Sequence, residues 1–170
     1  MLPKEFLHIA LEEEIEIEPL KDIPVINLIE YSYGPFSILQ KNCKIPIFAA
    51  LSLQKSGYCR IKCPNYLSQD VIENSLDLET DLKNEFTQIY PYIFEINSIL
   101  IDVCYDIDDK NILKSKINEI YNLRQKKIVE GLKFVDSNAL KITNLTGYEF
   151  CKVKNFILNT MKIAKRLEKI

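Results

Sequence analysis

The chain has no tryptophan, one histidine, two methionines and only four glycines among 170 residues. His8 has no Cys or second His near it in sequence, so a serine–histidine–aspartate relay or a histidine-rich metal centre has little to be built from. The few glycines form no phosphate-cradling loop. Five cysteines (Cys43, Cys59, Cys63, Cys104 and Cys151) make an odd number without a CxxC pair. No secretory leader precedes them, so free thiols in a reducing compartment are expected. Apolar runs fall far short of the roughly 20 residues a bilayer span needs, and the protein is expected to be soluble. The Asn144-Leu145-Thr146 sequon is then fortuitous.

Two patterns hint at metal, and both lack ligands. Cys59 and Cys63 would share a face in an extended segment, but structural zinc takes four ligands and the other cysteines occur singly. Asp106, Asp108 and Asp109 look like the start of a calcium loop without its glycine and terminal bidentate glutamate. Helix capping explains them better. No metal, cofactor or catalytic residue is expected, and an enzyme is disfavoured.

What the chain does contain is a change of periodicity. Glu14-Ile15-Glu16-Ile17-Glu18 alternates with period two, and Val25 to Glu30 is an apolar run between Pro24 and Gly34-Pro35. Both predict strands, with Arg60-Ile61-Lys62 a short third. Glu12, Glu13 and Glu14 are expected on a solvated edge, since neighbours on a strand point to opposite faces. A short opening helix is predicted over 4–11. Gly34-Pro35 sets a tight turn that presses Phe36 inward, and Pro46 suits the first turn of a helix bearing Phe48, Ala49, Leu51 and Leu53. This stretch reads as a rigid elbow, with Phe48 opposite Phe36. Phe48→Ala is expected to destabilise it by roughly 3–5 kcal/mol.

After Cys63-Pro64 the pattern is helical. Ser68 can cap a helix whose stripe is Val71, Ile72, Leu76 and Leu78. A second, apolar almost all round, follows Pro91 with Tyr92, Ile93, Ile96, Ile99, Leu100 and Val103. Asp108 can cap a third, with Leu113, Ile117, Ile120, Arg124, Ile128 and Leu132 on one face. Thr146-Gly147-Tyr148-Glu149 fits a capping box. The last helix carries Phe150, Val153, Phe156, Ile157, Met161, Ala164 and Leu167, with Ile163 and Ile170 widening the arc. That arc exceeds what a small bundle covers, so part of it is expected to face a partner chain. The expected fold is α+β and mainly α: a β-rich module with one short helix over 1–62, then a larger helical-bundle module over 63–170.

Net charge is −2, unevenly spread. Residues 64–110 hold 11 acids against 2 lysines, and 111–170 hold 13 Lys/Arg against 5 acids. Acidic and basic helices packed as neighbours are the expected reason. The alternative is a nucleic-acid binding module using the basic C-terminal portion, including Lys126, Lys127, Lys152, Lys154, Lys165 and Arg166.

Glu5-Phe6-Leu7, Gly34-Pro35-Phe36, the run from Ile45 to Leu51, Cys59-Arg60-Ile61, Pro64-Asn65-Tyr66-Leu67, Tyr90-Pro91-Tyr92 and Asn144-Leu145-Thr146 resemble, in order, the Psf-two family of the GINS replication complex. Where that family usually shows tryptophan, this chain places Phe48, Tyr66 and Tyr121. The resemblance implies a subunit without an active site, assembling with the Sld-five, Psf-one and Psf-three subunits. It further implies that the tetramer joins the Cdc-forty-five protein and the hexameric MCM ring in the nucleus to form the replicative helicase. Gly34, Pro35, Phe36, Pro46, Phe48, Leu51 and Tyr66 are then expected to pack the first module. Phe150, Val153, Phe156, Ile157, Met161, Ala164 and Leu167 are expected at the subunit interface.

Overall fold

The computed structural model describes the backbone of residues 3–82, 85–132 and 143–167, with side chains between residues 5 and 163 of those ranges. Helix α1 (Pro3–Glu12) leads into β1 (Glu14–Pro19), the central strand of an antiparallel sheet ordered β4-β1-β5. Strand β4 spans Cys43–Pro46 and β5 spans Cys59–Ile61. The register sets Ile15 against Ile45, and Ile17 against both Cys43 and Ile61. One face of β1 is therefore buried while Glu14 and Glu18 stay exposed, as the period-two pattern requires. The three-glutamate run is exposed too, although Glu14 opens the central strand and not an edge.

The predicted strand at 25–30 shrinks to a two-residue ribbon, β2 (Ile26–Asn27) paired with β3 (Ser32–Tyr33). Val25 and Ile29 are exposed, and within this run Ile26 packs against the core. Gly34 lies at φ 90 before a cis peptide bond to Pro35. Behind that turn Phe36 exchanges two backbone hydrogen bonds with Ile23, 2.8 and 2.9 Å, and is buried.

Pro46 ends β4 at φ −57 and ψ 143, one residue ahead of α2 (Ile47–Lys55), so it precedes the helix instead of opening it. Ile47, Ala49 and Ala50 take the inward arc, and Phe48 falls on the opposite side with Ser52 and Lys55, 42% exposed. The expectation that Phe48 packs the elbow is corrected accordingly. Leu51 and Tyr66 do pack against the core, Pro46 is buried, and Gly34 and Pro35 are exposed. Tyr66 stacks on Tyr90 with ring centroids 3.7 Å apart.

Helices α3 (Gln69–Asp81), α4 (Ile93–Val103), α5 (Lys110–Leu132) and α6 (Gly147–Leu167) follow. The fold is mainly helical with a small antiparallel sheet. On α3 the inward positions are Ile72, Leu76 and Glu79, spaced four and three apart, while Val71 and Leu78 are exposed. The expected α3 stripe was therefore rotated. Helix α4 buries Ile93, Ile96, Leu100 and Ile101, as an all-round apolar helix should. A helical bond from Leu113 N to the Asp109 carbonyl moves the capping position of α5 from Asp108 to Asp109. One core runs from Ala10 and Ile15 through Ile61 and Leu67 to Ile117 and Ile120, joining sheet and helices without a break.

Candidate interaction surface on helix α6

Helix α6 is held at its start by a buried ionic cluster. Arg124, Glu79 and Glu149 are each 0% exposed. The Arg124 guanidinium donates from Nε and Nη2 to the two Glu149 oxygens, both at 2.8 Å, in a bidentate pair. Its Nη1 donates to Glu79 Oε2 and to the Thr87 carbonyl, each at 3.0 Å, and Nη2 also reaches the Asn144 carbonyl at 2.7 Å. Lys127 Nζ adds a bond to Glu79 Oε1 at 2.6 Å. Burial opposes the Arg124 charge, but Glu149 and Glu79 outweigh it and push the guanidinium pKa up. Full desolvation is sustainable here because every nitrogen of the fork has an acceptor.

The same Glu149 closes the predicted capping box. Its Oε2 accepts from Thr146 N at 2.9 Å and Thr146 Oγ1 at 3.0 Å, and Glu149 N donates to Thr146 Oγ1 at 3.3 Å. Asn144 Nδ2 donates to the Phe86 carbonyl, so the sequon amide serves the fold. Gly147 faces Phe6 on α1 so closely that a Cβ would stand 2.4 Å from Phe6 Cε1. One turn on, Lys152 lies 4.2 Å from the Tyr148 ring centroid and donates to Tyr121 Oη at 2.7 Å.

From that anchored start, the expected apolar arc divides. Ile157 is buried within the chain, which removes it from the expected partner-facing set. Val153 and Met161 are half-buried. Phe150, Phe156, Leu158 and Ile163 are 44–57% exposed. Phe156 and Ile163 are seven residues apart and share one stripe, displaced from that of Ile157. The side chains of Ala164 and Leu167, and of Lys165 and Arg166, lie outside the described residues, as does Ile170.

The opposed acidic and basic segments answer each other as expected. Lys114 pairs with Asp102 at 2.6 Å, Lys116 with Glu73, and Arg124 and Lys127 with Glu79. Two of the six cations considered for nucleic acid, Lys127 and Lys152, are thus engaged within the fold, while Lys126 and Lys154 are exposed. Cys59 is buried and donates to the Ala50 carbonyl, and burial pushes its thiol to about 11. Cys63 lies just past β5 beside Cys104, and its Sγ donates to the Pro64 carbonyl at 3.5 Å. Among the described residues no three His, Cys, Asp or Glu side chains could hold a metal ion, and no helix is long and apolar enough to cross a membrane.

Sequence reading placed Arg124 on the inward face of α5 and Glu149 in the capping box without joining them, and it missed Glu79. The available signal was a cation at a core position of one apolar stripe and an acid at a core position of another, since either alone would be too costly to bury.

Comparison with known proteins supplies a context for this geometry. Residues 2–62 match the family model described as the PSF2 N-terminal domain. The chain is 37% identical over 166 residues to the probable DNA replication complex GINS protein PSF2 of Encephalitozoon cuniculi, covering 98% of this chain and 94% of that protein. It is 26% identical over 170 residues to the DNA replication complex GINS protein psf2 of Schizosaccharomyces pombe, covering 99% and 91%. Against the probable PSF2 of Caenorhabditis elegans the identity is 29% over 133 residues, covering 76% and 73%.

Proposed function

This chain belongs to the GINS PSF2 family, and from that premise we propose that it is a non-catalytic structural subunit of a GINS heterotetramer. The observation that carries the reading is the exposed stripe on α6. A helix fixed at its start by a buried guanidinium and two buried carboxylates presents Phe156 and Ile163 to solvent. An apolar surface on a rigid element is what an obligate interface leaves behind when its partner is removed. The partners are subunits of the Sld-five, Psf-one and Psf-three types, and the assembly acts in the nucleus. There it supports the replicative helicase with the Cdc-forty-five protein and the MCM ring, in initiation and elongation of DNA replication. This subunit's part is to hold surfaces in register, and no chemical step is assigned to it.

We further divide the chain at 62/63 into a small β-rich unit and a helical unit. The end of the family match at residue 62 supports this division. Co-expression with the three other subunit types, followed by mass measurement of the purified assembly, tests the function. A one-to-one-to-one-to-one complex is expected, and a chain that purifies alone from that mixture would overturn the reading.

A further inference from the structure

The join between the sheet and the helical bundle holds a pair of thiols. Beyond β5 the chain runs alongside the segment that leaves α4: Ile61 forms a parallel bridge with Cys104, and Tyr105 N donates to the Ile61 carbonyl at 3.3 Å. Two residues on, Cys63 N donates to Asp106 Oδ1 at 2.8 Å, so the alignment continues past the bridge. Residues two apart on an extended segment share a face, which puts Cys63 on the side of Ile61 and Cys104. The two thiols interact there, while Cys63 Sγ also donates to the Pro64 carbonyl at 3.5 Å.

Their surroundings differ in a useful way. Cys104 is wholly buried, whereas Cys63 is half-buried and lines a cavity of about 300 Å³ together with Lys62, Asn65, Ser68 and Asp106. A small oxidant therefore has a way to Cys63. The hydrogen bond from Cys104 holds the Cys63 thiol below its ordinary pKa, and that contact together with burial pushes Cys104 up. Cys43 and Cys59 are buried, with thiol pKa values raised by burial.

We propose that Cys63 and Cys104 are a peroxide-oxidisable dithiol whose disulfide fastens the end of β5 to the exit of α4. The Cys63 thiolate attacks one oxygen of hydrogen peroxide. The O–O bond breaks, Cys63 becomes a sulfenic acid, and the released hydroxide leaves as water with the Cys63 proton. The Cys104 sulfur then attacks the Cys63 sulfur, the S–O bond breaks, and the second hydroxide leaves as water with the Cys104 proton. Two thiols are oxidised and one peroxide is reduced to two waters. Cys63 is the attacking thiol because it has the access, and Cys104 resolves because it is adjacent.

The full chain, as purified alone or with the subunits it brings down, is treated with hydrogen peroxide and blocked with N-ethylmaleimide. It is then digested with trypsin, which places Cys63 in peptide 63–83 and Cys104 in peptide 84–110. The expected product is those two peptides joined, lighter by two hydrogens, ahead of any other cysteine pair and separated again by dithiothreitol. Cys63→Ser, at the half-buried position, should abolish it, and Cys104→Ala should leave Cys63 as a trapped sulfenic acid in a chain of unchanged circular dichroism. Oxidation should also raise the thermal midpoint of the parent and not of Cys63→Ser. A different cysteine pairing, over-oxidation of Cys63 with Cys104 still alkylatable after denaturation, or no reaction at either thiol would each overturn the proposal.

Discussion

Arg124 concentrates more of the fold's electrostatics than any other described side chain. Removing it leaves two buried carboxylates with their main partner gone, so Arg124→Met should destabilise the chain by about 3–5 kcal/mol. Arg124→Lys should recover little of this, because an ammonium cannot make the bidentate pair to Glu149. Denaturant midpoints of the three proteins check this; a loss of under about 0.5 kcal/mol, the ordinary surface value, would mean that the cluster is hydrated. Glu95 presents the opposite situation. Both its carboxylate oxygens are buried without a side-chain partner, and desolvation, with the nearby Glu149 charge, raises its pKa against the pull of its own backbone N–H. A carboxyl whose folded pKa lies above its unfolded value contributes stability that is full below the unfolded pKa and is lost as pH rises through the folded one. Glu95→Gln should therefore match the parent in acid and melt above it once pH rises past the ordinary carboxylate range. Thermal melts across that range would refute this if the gap stayed constant or closed. Phe48→Ala, by contrast, should cost less than the roughly 3–5 kcal/mol of a core aromatic, because Phe48 is 42% exposed.

Along α6 the two apolar stripes have different destinations, and substitutions can separate them. Ile157→Asp places an unpaired charge inside the chain and should reduce helix content and the thermal midpoint together. Phe156→Asp and Ile163→Asp place the charge on the exposed stripe. They should keep the parent circular dichroism and lose co-purification with the other GINS subunits. If both exposed-stripe variants still co-purify at normal stoichiometry, α6 is not the subunit interface. The start of the helix is sensitive for a third reason. Gly147→Ala drives a methyl into Phe6, so either the ring or the first turn must move, at about 1–3 kcal/mol of lost stability. Denaturant unfolding of that variant measures it.

For the whole molecule, the exposed apolar side chains of α6 and of the 25–39 region predict that the chain without its partners self-associates, and that co-expression rescues it. A monodisperse, cooperatively melting monomer at tens of micromolar would contradict this. Salt distinguishes the proposed role from phosphate binding. An apolar interface survives moderate ionic strength, while contacts to nucleic acid weaken steeply with it. Gel filtration of the co-expressed complex at low and raised salt should show no dissociation. Dissociation that follows added salt would shift the weight to the exposed lysines.

The features legible in the sequence were those set by neighbours along the chain. Period-two alternation marked β1, the apolar stripe marked α5 down to Arg124, and the spacing of Thr146 and Glu149 marked the capping box, because each depends on residues a few positions apart. The charge imbalance between 64–110 and 111–170 likewise announced that the two segments would pair, as Lys114, Lys116 and Arg124 do. Phe48 and α3 were misread because the arc of a helix that turns inward is set by what it packs against: α2 turns Ile47, Ala49 and Ala50 inward, and α3 turns Ile72, Leu76 and Glu79. The Arg124 cluster drew on α3, α5, α6 and the backbone at Thr87 and Asn144, with Glu79 45 residues from Arg124 in the chain. No local pattern records such a meeting. Only tertiary packing decided that these charges should be buried together, since desolvating any one of them is tolerable only when the others arrive with it.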